Sequence, residues 1–234
     1  MNEDLEVEIY LIISPKAFRI FLFDKKKLEN LYKEEVFFKN KEDQIDFNFL
    51  DKFLEENVFK IEKLMKSFLK NIYLIIDCKK IFELNFAIKK KNYKTVINQN
   101  LLESILTDAK DLFKENYPEK RIMHMLIKNY IVDGKNYLSL DEDFNGDNCC
   151  LEIQFKSISK YYASNVDKIL EKYQIRISEY FDLKYIEELS VIHNIDLIEM
   201  IFRVKNGFNQ NEVKLIPKIY KKTGFFEKFF QLFS

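Results

Sequence analysis

The 234-residue sequence has no tryptophan, four glycines, three cysteines and two histidines. Cys78 and the adjacent Cys149 and Cys150 do not form an even-numbered disulfide framework, which indicates a reducing compartment. His124 and His193 lie far apart, with no second ligand at helical spacing, which argues against a zinc site. The glycines are isolated from one another, so the sequence does not predict a Gly-rich loop that cradles phosphate.

The chain also lacks an excess of either charge, since 38 Lys and Arg balance 38 Asp and Glu. No overall field favours nucleic acid, and we expect no nucleic-acid partner. No apolar run approaches the roughly 20 residues of a spanning helix, and the acidic start Met-Asn-Glu-Asp-Leu-Glu is unlike a signal peptide. We therefore expect a cytoplasmic protein that touches a membrane from one side only.

Catalytic chemistry has little support in the sequence. The acidic residues Asp141, Glu142, Asp143 and Asp147 do not have the spacing of an EF-hand loop, and such a polar cluster between strands is typical of a solvated turn. No trio of nucleophile, base and orienting group is visible. We expect a protein that is not an enzyme, with no cofactor and no metal ion.

The C-terminal residues 224–234 have the clearest pattern in the chain. At about 100° per residue, one face is entirely apolar and the other is polar. The apolar face consists of Phe225, Phe226, Phe229, Phe230, Leu232 and Phe233. Lys221, Lys222 and Lys228 lie beside it, where they can meet anionic headgroups. The pattern predicts an amphipathic helix that binds anionic membrane lipid, and it also fits a helix docked in a partner's groove or on the protein's own core.

The rest of the chain alternates between strand and helix patterns, which predicts an α/β fold in two units. In the first unit we expect strands at 6–13, 17–24, 35–38 and 72–76 and a helix at 46–70, with a hairpin between the first two strands around Ser14 and Pro15. In the second we expect strands at 82–88, 121–132, 151–157 and 175–180 and helices at 98–116 and 159–173. Asn98 or Asn100 is the expected cap of the first of these helices, and Asp133 with Gly134 is an expected turn. We expect one or two helices over residues 183–204 and a polar linker over residues 206–214.

Residues 120–134, Lys-Arg-Ile-Met-His-Met-Leu-Ile-Lys-Asn-Tyr-Ile-Val-Asp-Gly, resemble a run in the bacterial actin-like cell-division family FtsA. The matching positions are His124, Tyr130, Asp133 and Gly134, which mark the fold and are not expected to carry chemistry. We expect His124 to be a half-buried strand residue. The resemblance continues through 151–155 and 175–181. The order of elements over 6–76 and the terminal amphipathic segment match that family as well.

This resemblance implies an α/β fold: a partial actin-like subdomain with an inserted β-α-β-β-α-β subdomain of the SHS2 type and a C-terminal amphipathic helix. The implied division is a partial actin-like subdomain at 1–77, an inserted interaction subdomain at 78–181, returning helices at 182–205, and a linker with the membrane-targeting helix at 206–234.

The sequence departs from the family where nucleotide would bind. Leu11 and Ile13 stand about where the family has the Asp and Gly of its first phosphate loop, and neither side chain suits a metal-bound phosphate. After Phe181 there is room for one or two helices only, so we expect the second actin-like half, with its phosphate loop and adenosine site, to be missing. The resemblance thus predicts a protein that binds no nucleotide.

The predicted function is that of a non-enzymatic membrane adaptor in bacterial cell division, which tethers division proteins to the inner face of the cytoplasmic membrane at the division site. The family's surface for FtsZ lies largely in the second half, which leaves FtsZ binding open. Apolar surface left by the missing half would favour self-association or another partner. The alternative is a cytoplasmic actin-like scaffold component of a type IV pilus or secretion platform, which is not marked by a terminal aromatic helix.

Overall fold

A computed structural model describes residues 6–38, 45–139 and 145–214. In these three ranges the chain forms nine strands and five helices. The strands are β1 (Val7–Ile13), β2 (Ala17–Asp24), β3 (Glu29–Phe37), β4 (Asn71–Ile76), β5 (Phe82–Val96), β6 (Lys120–Val132), β7 (Lys135–Tyr137), β8 (Asn145–Ser159) and β9 (Arg176–Asp182). The helices are α1 (Phe47–Met65), α2 (Gln99–Asn116), α3 (Lys160–Glu171), α4 (Leu183–His193) and α5 (Leu197–Lys205).

The first sheet has the strand order β3-β2-β1-β4-β9. Strands β1 and β2 form an antiparallel hairpin, and β4 and β9 add to β1 in parallel. The Ser14 side chain closes the hairpin turn, because its hydroxyl accepts the Ala17 N–H at 3.0 Å and donates to the Ala17 carbonyl at 3.0 Å. The hairpin predicted around Ser14 is therefore confirmed.

Helices cover both faces of this sheet. Helices α1 and α3 pack on one face, where Leu11 and Ile13 lie in the core. Helices α4 and α5 pack on the other, where Tyr10 and Ile12 are buried. Double coverage explains why residues 9–13 of β1 are all apolar, without alternation. The first sheet is thus the middle layer of three.

The second sheet is antiparallel in the order β5-β8-β6-β7, and α2 covers one of its faces. Phe113 of α2 stacks on Phe155 of β8 with ring centroids 4.7 Å apart. Helix α2 begins at the predicted cap, since the Asn98 side chain accepts the Leu101 N–H at 3.0 Å. The mixed α/β fold predicted from the sequence is confirmed.

The predicted Asp133-Gly134 turn joins β6 to β7, and both residues have positive φ angles, of 47° and 82°. Gly and Asp are the residue types that tolerate this conformation. The Asp133 carboxylate also accepts the N–H groups of Asp147 at 3.1 Å and Asn148 at 2.9 Å. These hydrogen bonds lower the pKa of Asp133 and fasten the turn to β8.

Helix α3 and strand β9 correct the predicted division of the chain. The sequence suggested that both belong to the second unit. Instead, β9 lies parallel to β4 with Phe181 opposite Ile75, and α3 packs on the first sheet. A strand's apolar pattern shows that it is buried but does not specify which sheet it joins. The inserted unit therefore runs from β5 to β8, between β4 and α3.

Several boundaries also differ from the predicted ones. Helix α1 ends at Met65 and not at 70, because Lys66 adopts the left-handed conformation with φ 55°. The helical region predicted at 183–204 consists of two helices, because Asn194 has φ 51° and ends α4. Strands β3, β5 and β8 are longer than predicted, and the sequence did not indicate β7.

Residues 206–214, predicted to be a polar linker, lie against the second sheet. The Ile127 N–H donates to the Asn211 carbonyl at 2.8 Å, and the Val213 N–H donates to the Met125 carbonyl at 2.9 Å. This segment pairs with the part of β6 that β7 does not cover. No helix in the described ranges is long and apolar enough to span a membrane.

Candidate functional site

His124 on β6 is buried at the junction of the two sheets, with 1% of its surface exposed. Its Nδ1 lies 2.6 Å from Oε1 of Glu212, and its Nε2 accepts the backbone N–H of Asp182 at 2.9 Å. A nitrogen that accepts a hydrogen bond carries no proton, so the proton lies on Nδ1 and is donated to Glu212. The residue predicted as a half-buried strand position is in fact completely enclosed.

Glu212 has a second partner in Tyr185 of α4, whose hydroxyl donates to Oε2 at 2.7 Å. The Asn209 amide donates in turn to the Tyr185 oxygen at 2.9 Å. Burial raises the pKa of Tyr185, and the Glu212 charge raises it further. The phenol is therefore held as a protonated donor that fixes the 209–213 segment to α4.

Lys156 on β8 bridges two carboxylates at the same junction. Its Nζ lies 2.8 Å from Oδ2 of Asp182 and 2.6 Å from Oε1 of Glu83. Asp182 is fully buried and caps α4, because its Oδ1 accepts the Lys184 N–H at 3.2 Å. Burial alone would lower the pKa of Lys156, but hydrogen bonds to Asp182 and Glu83 outweigh burial and raise it. The buried ammonium group is consequently charged.

These side chains form one continuous network, which we call the junction network: Glu83, Lys156, Asp182, His124, Glu212, Tyr185 and Asn209. It ties β5, β6 and β8 of the second sheet to β9 and α4 of the first. Each buried charge has an oppositely charged or hydrogen-bonding partner, as burial requires. The relative position of the sheets is therefore specified by directional contacts.

A solvent-open cleft of about 450 Å³ lies over this network, between α4 and the second sheet. Its lining combines amides, charges and aliphatic groups, which include Gln154, Asn209, Asn211, Lys128, Glu188, Leu189 and Ile192. A second groove of about 430 Å³ shares Lys128 and Gln154 with the cleft and continues past Asn85 and Glu152. Amide and aliphatic groups along an open channel suit an extended peptide, whose backbone and side chains alternate in polarity.

The predicted fold markers divide between two places. His124 and Tyr130 both reach the 209–213 segment, and the Tyr130 hydroxyl lies 3.5 Å from Oδ1 of Asn211. Asp133 and Gly134 form the turn at the far end of β6. Sequence reasoning missed Lys156, which appears only as one charged residue inside an apolar strand.

The expected phosphate-loop positions are part of the core. Leu11 and Ile13 are fully buried beneath α1 and α3, so their side chains do not face a cleft. Within the described ranges, no three His, Cys, Asp or Glu side chains are grouped to hold a metal ion. The chemistry available at the junction is hydrogen bonding and ion pairing.

The predicted lipid-binding residues lie outside the described residues. They are Phe225, Phe226, Phe229, Phe230, Leu232, Phe233, Lys221, Lys222 and Lys228. Their role stays a prediction from the sequence.

No protein-family model matches this chain, and no curated protein matches its sequence. Among solved structures, a chain of a PilM-PilN type IV pilus biogenesis complex matches with a TM-score of 0.50 and 8% identity, over 76% of this chain and 48% of that one. The chain thus spans about half the length of that relative. At this identity the likeness shows the fold alone.

Two further structures match at lower TM-scores. The cytoplasmic domain of EpsL, an inner-membrane component of the type II secretion system of Vibrio cholerae, matches with a TM-score of 0.39 and 5% identity, over 76% of this chain and 57% of that one. A Bacteroides thetaiotaomicron protein of unknown function with an actin-like ATPase fold matches with a TM-score of 0.32 and 14% identity, over 80% of this chain and 57% of that one. The predicted α/β fold is therefore supported by the likeness to the chain of the PilM-PilN complex.

Proposed function

We propose that this protein is a non-enzymatic, actin-like scaffold component of a type IV pilus or secretion platform. In this role it binds an extended peptide segment of a membrane-bound partner in the cleft over the junction network. The observation that carries the proposal is the fold likeness to a chain of the PilM-PilN complex, together with a cleft at the junction of the two sheets that is large enough for a peptide. This reading favours the alternative function considered from the sequence over the cell-division role.

The cleft supports the proposal because its floor is rigid and its rim is open. Lys156 and Tyr185 line it and are each held by two partners in the junction network. Ile192 on α4 is 72% exposed at its edge and offers an apolar contact. A pre-organised floor lowers the entropy lost on binding, which favours recognition of a flexible peptide.

Binding of fluorescent peptides from the cytoplasmic tails of pilus or secretion membrane proteins tests this proposal by anisotropy. We expect Ile192→Asp to weaken peptide binding by about tenfold or more, because it places a charge at the apolar rim. The matched control is Tyr161→Asp, since Tyr161 of α3 is similarly exposed but lies outside the cleft. Equal affinities for the two variants would overturn the assignment of the cleft.

A second candidate is the membrane adaptor of bacterial cell division, which the residues 120–134 and the terminal segment favour. Co-purification with full-length protein separates the two candidates, since pilus or secretion membrane proteins are retained in the first case and division proteins in the second.

For both candidate functions, lipid binding through the terminal segment predicts that Phe226→Glu with Phe229→Glu weakens flotation with anionic vesicles. ATP hydrolysis above background that is lost on mutation would contradict a non-enzymatic role in either case.

A further inference from the structure

The C-terminal end of α1 exposes apolar side chains that the core does not use. The buried face of α1 is complete without them, and it includes Leu54, Val58 and Ile61. By contrast, Phe59 is 71% exposed and Phe68, just after the helix, is 79% exposed. Single exposed aliphatic residues are ordinary, but two exposed phenylalanines nine residues apart at one helix end call for an apolar partner.

A well-defined turn holds Phe68 outward. Lys66 has the left-handed conformation, and the Ser67 N–H donates to the Glu62 carbonyl at 3.3 Å, which ends the helix in a Schellman-type turn. The Glu62 carboxylate then accepts the Leu69 N–H at 3.0 Å. Leu69 is buried, so the turn inserts one residue into the core and leaves the preceding Phe68 in solvent.

The charge around Phe68 and the last turn of α1 is positive. Lys63, Lys66 and Lys70 are exposed, and none forms an ion pair with another residue in the described ranges. Between residues 57 and 70 the one acidic residue is Glu62, whose carboxylate is engaged with the backbone. Glu55 and Glu56 lie about one turn before Phe59, so the positive charge is concentrated toward Phe68. Exposed Arg176 lies next to Lys70, because its N–H donates to the Lys70 carbonyl at 2.9 Å. The cations therefore remain available to an external anion.

We propose that this surface, the α1 corner, binds an anionic lipid bilayer. The α1 corner consists of Phe59, Leu64, Phe68, Lys63, Lys66 and Lys70. Aromatic rings that protrude beside lysines suit the headgroup layer, where the rings enter the acyl boundary and the ammonium groups meet lipid phosphates. The helix dipole accounts for lysines at a helix C-terminus, but it does not account for exposed phenylalanines.

The small size of the α1 corner favours lipid over a protein partner. It has three exposed apolar side chains, whereas a protein interface needs a broad complementary surface of about 800 Å² on each side. Its cations are long, flexible side chains that adapt to mobile headgroups at little geometric cost. The α1 corner shares no residue with the cleft or with the terminal segment, so it does not rest on the proposed function.

Partitioning of the full chain onto vesicles that contain about 30% phosphatidylserine tests the proposal. We expect Phe59→Ser with Phe68→Ser to reduce the partition coefficient about tenfold or more, since two buried rings are lost. Lys63→Glu with Lys66→Glu should reduce it on the order of 20-fold and remove most of its salt dependence. The matched control is Val191→Ser with Ile192→Ser, an equally exposed apolar pair that lies beside the acidic Glu187 and Glu188.

The same variants are also measured in a chain that carries Phe226→Glu and Phe229→Glu, which removes any lipid binding through the terminal segment. The loss caused by the α1 corner variants should have the same factor in both backgrounds. The proposal is overturned if Phe59→Ser with Phe68→Ser partitions like the Val191/Ile192 control. It is also overturned if only the charge reversal has an effect, because binding would then be unspecific attraction without insertion. Unchanged thermal unfolding confirms that each variant is folded.

Discussion

Nδ1 of His124 lies 2.6 Å from Oε1 of Glu212, although 88 residues separate them in sequence. This contact fixes the chain after α5 to the middle of β6. It also closes the polar junction between the two sheets, because the other nitrogen of His124 is bound by the backbone of Asp182. A residue that looked like a fold marker thus joins three distant parts of the chain.

Glu212→Ala should lower the free energy of unfolding by about 2–4 kcal/mol. The substitution leaves the Nδ1–H of buried His124 and the hydroxyl of Tyr185 without their common acceptor. Urea unfolding followed by circular dichroism measures the change. Glu212→Gln keeps an acceptor oxygen and should cost less.

Glu171→Ala provides the control, since Glu171 is an exposed glutamate at the end of α3. Its effect should stay within about 0.5 kcal/mol, as for most surface substitutions. If Glu212→Ala were as mild as this control, the 209–213 segment would not be held on β6 in solution.

Local patterns predicted most of the elements correctly. The hairpin around Ser14 and the cap at Asn98 depend on residues within a few positions of one another, so the sequence contains the whole signal. The Asp133-Gly134 turn is of the same kind. Periodicity likewise placed α1 and α2, because each buries one face against a single sheet.

Contacts between residues that are far apart in the sequence could not be predicted in this way. The apolar pattern of β9 shows burial, yet its position beside β4 depends on a crossover through α3. The 209–213 segment is polar because Asn209 and Glu212 face a polar junction, and polarity alone is also what a solvated linker shows. Lys156 is buried only because Asp182 and Glu83 converge on it from other strands.

Lys156→Met should destabilise the protein by about 3–5 kcal/mol, although methionine fits an apolar strand well. The loss arises because the fully buried Asp182 carboxylate is left without its cation. Adding Asp182→Asn to the variant removes the uncompensated charge and should restore part of the stability. Urea unfolding of both variants measures this, and an equally low stability of the double variant would show that the ion pair is not the cause.

Tyr162→Phe should stabilise the protein by up to about 1–2 kcal/mol at neutral pH. Tyr162 of α3 packs against Phe47, with ring centroids 5.4 Å apart, and is buried. Its hydroxyl has no hydrogen-bond partner among the residues of the described ranges. Removing the hydroxyl therefore removes an uncompensated desolvation cost while the ring contact is kept.

Tyr162→Phe should also reduce the loss of folding stability at alkaline pH. Burial raises the pKa of Tyr162 above the value of about 10 for an unfolded tyrosine. The folded state thus retains a proton that the unfolded state releases, so this contribution is complete below pH ~10 and is lost as the pH rises further. Burial also raises the pKa values of Tyr10 and Tyr185. Part of the loss of stability with rising pH therefore remains in both the wild-type protein and the variant. Thermal unfolding of the wild-type protein and the variant at neutral pH and at pH ~11 measures this difference. If Tyr162→Phe were clearly destabilised at neutral pH, the hydroxyl would have a hydrogen-bond partner in the folded protein.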